Sequence, residues 1–239
     1  MENTSAKRRR LIASIAAIAV ACIAVIVLFP TLAQRLFPGM RFPGQDASQP
    51  GPGGVLLSDD FSSPLWGTGA DAERSVAYTN NTLQMIVYPN NTFVWSLPND
   101  QDYQNIHMEV TVINNDSDST TAFGLICNQQ AIDENFYYFA VTPAGQYAIA
   151  KAVEGQDDLF ITNEDQWGAS DLIPKDAASY RVGADCGNGT LTLYVDGQQI
   201  DSVSDASYAN GGVALFTWSG EEATNTNVSF DDFLMTGLP

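Results

Sequence analysis

The chain has 239 residues, 45% hydrophobic and only 16% charged, with 10 Lys+Arg against 28 Asp+Glu and a formal net charge of -18. That apolar content argues against wholesale disorder, and a chain this acidic is a poor partner for nucleic acid, whose phosphates demand neutralisation. A single histidine, His107, rules out a multi-histidine metal site and leaves a Ser-His-Asp catalyst one candidate base.

The charge is unevenly placed. Residues 1–10 form a basic tip with Lys7, Arg8, Arg9 and Arg10, whereas everything after residue 54 carries four basic residues (Arg74, Lys151, Lys175, Arg181) and all the acids except Glu2 and Asp46. Between tip and body, Leu11 to Phe29 is free of charge and ends at Pro30. As a helix it would be roughly 28 Å long, about the thickness of a bilayer's hydrocarbon core. Its length favours an uncleaved signal anchor, a single-pass transmembrane helix over 11–29. Two alternatives stay open: a cleaved signal with Thr31-Leu32-Ala33 as a loose site, and a lipoprotein box at Ala19-Val20-Ala21-Cys22 with Cys22 acylated. All three export the body, and the basic tip keeps the N-terminus cytoplasmic. The expected location is the cell membrane, with the body extracellular.

Residues 30–54 read as a spacer, in which Pro30, Pro38, Pro43, Pro50 and Pro52 alternate with glycines. Proline denies it regular hydrogen bonding and glycine makes its ordering costly in entropy.

From Val55 to Pro239 the apolar pattern has period two, the mark of half-buried strands. The spacing predicts strands at 55–60, 74–78, 82–88, 92–97, 104–113, 120–128, 135–142, 145–153, 179–186, 190–195, 198–203, 212–218 and 227–236. Asn188-Gly189 and Asp196-Gly197 supply the positive φ angles of tight hairpins and make 179–203 a three-stranded meander. No stretch sustains helical spacing over three turns, and Asp171 to Ser179 holds one short turn at most. About a dozen short strands favour an all-β, two-sheet antiparallel sandwich. Cys127 and Cys186 are the cysteines of this body. In an oxidising compartment they are expected to form a disulfide closing a loop of about 60 residues, stabilising by roughly 2–4 kcal/mol, the alternative being two buried thiols.

The strand sequences LLSDDFSSPLWG (56–67), AFGLICN (122–128), NFYYFAVTPAGQY (135–147), YRVGADCGNGTLTLYVDGQQI (180–200), GGVALFTWSG (211–220) and VSFDDFLMTG (228–237) carry a resemblance. The body resembles the concanavalin A-like lectin/glucanase sandwich, in the laminin-G-like form found outside bacterial membrane anchors. The resemblance implies a jelly-roll whose first and last strands are neighbours. It also implies a curved sheet whose concave face binds glycans in many relatives, while others bind protein or act as spacers. Fold alone does not settle which.

Three kinds of chemistry are candidates. Asp59-Asp60 opens the body and Asp231-Asp232 closes it; if the terminal strands pair, four carboxylates converge as one structural Ca2+ would require, although no D-x-D-x-D-G loop is present. A glycan face has Trp167, Trp218, Tyr137, Tyr147 and Trp95 for stacking, with Asn128, Gln129, Glu109 and Lys151 for hydroxyl groups. Trp167 is the foremost of these because it lies in the long polar loop 155–179. Phe123, Phe136 and Tyr138 are expected in the core. Glycoside hydrolysis needs paired carboxyls. The resembling glucanases carry them on one strand as E-x-D-x-x-E, whereas the strand IHMEVTV offers Glu109 alone beside His107, and no catalysis is expected. The reading is a membrane-tethered extracellular binding module, its partner a glycan. A protein-interacting or structural envelope module is the alternative, and a glycosidase of unfamiliar layout comes third.

Overall fold

The computed structural model describes residues 51–116, 118–130 and 135–239. The basic tip, the apolar segment 11–29 and the spacer as far as residue 50 lie outside the described residues. What remains of the spacer is bound to the sandwich: the Gly53 N–H donates to the Gly237 carbonyl at 2.7 Å, and the Gly237 N–H donates to the Gly54 carbonyl at 3.0 Å.

Among the described residues there is no helix, and the strands form two antiparallel sheets. The first contains β1 (Val55–Asp59), β2 (Gly69–Ala70), β3 (Arg74–Thr79), β4 (Thr82–Val87), β6 (Ile106–Asn114), β12 (Ser179–Gly187), β13 (Thr190–Val195), β14 (Gln198–Ser204) and β16 (Thr226–Gly237). The second contains β5 (Phe93–Ser96), β7 (Ala122–Gln129), β8 (Phe136–Val141), β9 (Gln146–Ala152), β10 (Leu159–Phe160), β11 (Gly168–Ala169) and β15 (Gly212–Trp218). In the first the order is β14-β13-β12-β6-β16-β4-β3-β2, with β1 also on β16; in the second it is β10-β9-β8-β7-β15-β5, with β11 also on β9. The expected strands are all present, and β2, β10 and β11 are additions of two residues each.

Local chemistry sets the register. Asn188 and Gly189 have φ of 54° and 72°, and Asp196 and Gly197 have 51° and 75°, closing the β12–β13 and β13–β14 hairpins with two-residue loops. A third such loop, Asn80-Asn81 at 52° and 59°, closes β3 onto β4. Asparagine tolerates this backbone region better than other non-glycine residues, which is why an Asn-Asn pair replaces Asn-Gly here.

Alternation then sorts the side chains. In β6, Ile106, Met108, Val110 and Val112 are fully buried while His107, Glu109 and Thr111 face outward. The inter-sheet core joins these to Leu83, Met85, Leu193 and Phe230 from the same sheet, and to Phe123, Leu125, Tyr137, Phe139 and Leu215 from the other. Each such side chain contributes about 1.5–3 kcal/mol by leaving water. Through this core runs the disulfide Cys127–Cys186, which ties β7 of one sheet to β12 of the other across 59 residues of sequence.

The terminal strands pair as the resemblance implied, Val55 opposite Thr236 and Asp59 opposite Phe233. Three of the four aspartate side chains there accept local hydrogen bonds. Asp59 accepts from the Phe61 N–H at 3.0 Å and from the Trp66 indole N–H at 2.9 Å. Asp60 accepts from the Ser62 N–H and hydroxyl. Asp231 accepts from the Asp232 N–H, and Asp232 sits at φ 49° in a bulge of β16. The two Asp-Asp-Phe motifs do meet, through their phenylalanines: Phe61 and Phe233 pack on Trp66 with ring centroids 5.7 and 5.0 Å away. Among the described residues no group of three or more His, Cys, Asp or Glu side chains is arranged to hold a metal.

Candidate functional site

The outer face of the seven-stranded sheet does not look like an ordinary solvated face. β8 is buried at all six positions, so its alternate residues Phe136 and Tyr138 are covered on the outside just as Tyr137 and Phe139 are covered between the sheets. Pairing register assembles the cover. Phe216 stands opposite Trp95, and Trp218 opposite Phe93, across β15 and β5. Phe93 stacks on Phe216 at 4.6 Å and meets Tyr138 edge-on at 5.6 Å. Small residues, Ala122, Ala140, Ala148, Ala150 and Ala214, make the floor between the rings.

The segment after β9 completes a cleft. It is expected as a loop, but folds back as β10 and β11, which hydrogen-bond to successive stretches of β9. Asn163, Glu164 and Asp165 turn the chain with φ of 55°, 56° and 63°, and the Asp165 carboxylate accepts from the Phe160 N–H at 2.8 Å. Gly168 lies so close to the Tyr147 ring that a Cβ would stand 2.6 Å from Cζ, so only glycine lets β11 settle there. These contacts hold Phe160 and Trp167 over the outer face, edge to face at 5.2 Å. Trp167 in turn lies nearly parallel to Trp218, with centroids 6.2 Å apart and planes 21° apart.

The result is a cleft of about 490 Å³, floored by alanines and phenylalanines and walled by Trp95, Trp167 and Trp218. This is within the usual range for small-ligand sites. Asn91, Gln156, Glu154, Asp158 and Glu221 supply polar groups at its rim. Asp158 accepts from the Tyr138 hydroxyl at 2.9 Å, and Asn91 accepts from the Trp218 indole N–H at 3.3 Å. Burial, with the nearby charge of Asp158, pushes the Tyr138 phenol well above its ordinary range, so it remains a hydrogen-bond donor at any physiological pH.

Of the residues singled out from sequence, the cleft gathers Trp167, Trp218 and Trp95. Tyr137 and Tyr147 point between the sheets, their hydroxyls donating to Asp205 and Asp201. Burial and the Asp205 carboxylate push Tyr137 up to about 12. Lys151 also turns inward, 3.0 Å from Asp205. Burial opposes ionisation of that aspartate, but hydrogen bonds from Ser207, Tyr137 and Lys151 outweigh it and hold its carboxyl well below the usual range. Asn128, at the end of β7, donates to the Tyr208 carbonyl and lines a separate cavity of about 200 Å³. Gln129 follows it and lies outside the cleft lining.

Glu109 lies on the outer face of the opposite sheet, in a linked row of polar side chains. Tyr194 donates to Asp185, Asp185 lies 2.6 Å from His107 Nδ1, His107 Nε2 lies 3.2 Å from Glu109, and Glu109 accepts from Arg181. The Asp185 hydrogen bond, helped by Glu109 and opposed by burial, raises His107 above its ordinary value. Burial pushes Glu109 upward, but His107 and Arg181 outweigh it and hold the carboxyl below its usual range. These groups satisfy one another on the outer face of that sheet.

The rings of this site that sequence reasoning did not assign to it are Phe93, Phe136, Tyr138, Phe160 and Phe216. Phe136 and Tyr138 are buried as expected, but in the outer cluster and not the inter-sheet core. A usable signal was the shared parity of Phe93 with Trp95 and of Phe216 with Trp218, since residues two apart on a strand share a face.

No protein-family model matches the chain, and no curated protein matches it in sequence. Solved structures do match. The chain is similar to the carbohydrate-binding module CBM66 from Bacillus subtilis, at 14% identity and TM-score 0.57, over 72% of this chain and 96% of that one. It is similar to a protein of unknown function with a galectin-like fold from Bacillus subtilis, at 11% identity and TM-score 0.58, over 77% and 96%. It is also similar to the β-glucanase of Bacillus licheniformis, at 10% identity and TM-score 0.51, over 78% and 99%. With its two antiparallel sheets and neighbouring terminal strands, the described part of the chain has the concanavalin A-like jelly-roll fold.

Proposed function

We propose that the chain is a binding module that recognises a glycan in the aromatic cleft on the outer face of the seven-stranded sheet. The observation that carries this reading is the wall formed by Trp95, Trp167 and Trp218 beside rim amides and carboxylates. Sugar rings present apolar C–H faces to aromatic rings and hydroxyl groups to polar neighbours, and this cleft offers both kinds of partner. Similarity to a carbohydrate-binding module and to a glucanase supports the same ligand class. Binding is preferred to hydrolysis because Glu109, the one carboxyl on the strand IHMEVTV, is committed to His107 and Arg181 on the other sheet. The apolar segment 11–29 and the Pro/Gly spacer make the same module an extracellular, membrane-tethered one.

A second reading is favoured by one observation. The floor of the cleft is mostly alanine and phenylalanine, with the Tyr138 hydroxyl bonded to Asp158, a surface that also suits an apolar segment of a protein partner. Glycan-array binding by the full chain, with Trp167→Ala and Trp218→Ala as controls, separates the two. Saturable binding to a sugar class, weakened at least tenfold by either substitution, supports the glycan reading; tryptophans that anchor a binding site typically cost about 2 kcal/mol or more when truncated. Silence across the array from a folded, disulfide-bonded chain overturns it in favour of a protein partner.

A further inference from the structure

Buried polar groups in folded proteins are nearly always paired, so each exception asks for an explanation. Among the described residues, the buried side-chain oxygens without a hydrogen-bond partner are Asp116 Oδ2, Asn128 Oδ1, Gln129 Oε1 and Thr217 Oγ1. Of these, Asn128 belongs to the lining of the cavity of about 200 Å³ that is separate from the aromatic cleft. Asn128 is only 4% exposed, and its amide is held in one orientation because Nδ2 donates to the Tyr208 carbonyl at 2.8 Å. Turning the amide over would set its oxygen against that carbonyl, so the oxygen is the end left to accept from elsewhere. The backbone of Asn128, at φ 52°, accounts for an asparagine at this position. It does not account for burying the amide oxygen unpaired.

Segments far apart in sequence build the cavity around this amide. The β12–β13 turn from Gly187 to Thr190, Asn105 ahead of β6, and the connection from Asp205 to Ala209 all contribute to its lining. Close contacts hold these pieces together. Asn105 Oδ1 accepts from the Asn188 N–H at 2.9 Å, and the Asp205 N–H donates to the Gly189 carbonyl at 3.1 Å. A Cβ on Gly187 would stand 2.7 Å from Asn105 Cα, so glycine is what permits that approach. The Cys127–Cys186 bond anchors the residues next to Asn128 and Gly187. The cavity is thus preformed, as small-ligand sites usually are.

The lining sets the charge and size of what fits. Asp205 is its charged residue, and that carboxylate is already taken by the Lys151 ammonium at 3.0 Å, the Tyr137 hydroxyl and the Ser207 N–H. With that charge matched, neither an anion nor a cation is favoured. The other polar side chains are amides and a hydroxyl, from Gln104, Asn105, Asn128, Asn188 and Thr190, and Leu191 and the Tyr208 ring add apolar contact. An amide carries a donor beside an acceptor, the pattern that neighbouring hydroxyl groups of a ligand match. At about 30 Å³ per water, 200 Å³ is the room of about seven waters, enough for one sugar ring and too little for a peptide segment. We infer that this cavity is a second binding site, for a single neutral sugar ring whose hydroxyl donates to Asn128 Oδ1. It shares no lining residue with the aromatic cleft, so it stands or falls independently of the glycan reading there.

The test is a titration of the full chain followed by NMR, reading the Asn128 side-chain amide and the backbone amides of residues 187–190. The probes are the methyl glycosides of glucose, galactose and mannose, with methylammonium and acetate as charged controls. The expected result is saturable shifts of those signals with at least one glycoside, at a Kd of about 1 mM or tighter for so small a ligand, and none with either ion. Asn128→Gly, which tolerates the left-handed backbone and removes the acceptor, weakens binding at least tenfold. Ala209→Phe, at an exposed position of the lining, fills the cavity without touching the buried amide and abolishes binding. It carries the test if the glycine variant does not fold. Trp167→Ala leaves these shifts unchanged, because the aromatic cleft is elsewhere. Shifts that vanish in Trp167→Ala overturn the inference and assign the sugar to the cleft. Equal response to an ion, binding that survives Ala209→Phe, or silence with all three glycosides overturns it too; in the last case water alone serves the Asn128 oxygen.

Discussion

Opening the Cys127–Cys186 bond gives the most quantitative check on how the two sheets are held together. The bond joins β7 to β12 with 59 residues between its ends, so it removes the conformations of a long loop from the unfolded chain. For a loop of that size the entropy removed is about 14 cal/mol/K, which is about 4 kcal/mol of stability at 25 °C. For a domain of this length, each kcal/mol shifts the melting temperature by about 2–4 °C, so reduction should lower it by about 8–16 °C. Replacing both residues, Cys127→Ala with Cys186→Ala, should cost more, because both sulfurs are fully buried in the inter-sheet core and their removal leaves a void worth about 1 kcal/mol or more. The assay is urea unfolding followed by tryptophan fluorescence, with the oxidised chain, the reduced chain and the double variant side by side. The oxidised and reduced chains should also differ in the denaturant slope, since the cross-linked unfolded state exposes less surface. A difference below about 1 kcal/mol between them would refute the reasoning: β7 and β12 would then be held as well by packing in both states, and the bond would add nothing.

Two further predictions concern single positions. Gly168→Ala should destabilise by about 1–3 kcal/mol through overpacking and shift tryptophan emission, because its Cβ would stand 2.3 Å from Asn163 Nδ2 and 2.6 Å from the Tyr147 ring; unchanged emission and stability would show that β11 can move without disturbing Trp167. His107 has a folded pKa raised above its unfolded value of about 6.5. Its contribution to stability is therefore complete below that value and is lost as pH rises through the folded one, so His107→Gln should flatten the fall in stability above about pH 6.5. In the wild type, Asp185, Glu109 and Tyr194 contact the ring and Arg181 pairs with Glu109, and a parallel pH profile in the variant would assign the fall to some other group.

The architecture was legible because the first sheet behaves as half-buried strands should. In β6 and β12 one face is apolar and the other polar, so period two in the sequence becomes in-and-out in the fold. The hairpins followed from Asn-Gly and Asp-Gly, whose left-handed backbone needs no tertiary help. The cleft was less legible, and β8 shows why. Phe136, Tyr137, Tyr138 and Phe139 are four aromatic residues in succession, so nothing in their chemistry says which pair faces the core. The answer depends on partners far along the chain, Phe93, Trp95 and Phe216, which cover the outward pair. Trp167 was found for a different reason, as an aromatic in a polar loop. Its position over the sheet depends on the close fit of Gly168 under Tyr147, which no local pattern announces.

That covering has a consequence for function. An antiparallel sheet with a solvated outer face is stable with polar side chains there, and alternation of that kind runs through the first sheet. The second sheet instead carries a layer of rings outside β7 and β8, and no helix or third sheet among the described residues packs against it. The layer is covered partly by its own members and partly by β10 and β11, leaving the cleft as its opening. Phe93 and Trp218 stay partly exposed at this opening, and apolar surface left open on a sheet in this way is explained by what the opening receives.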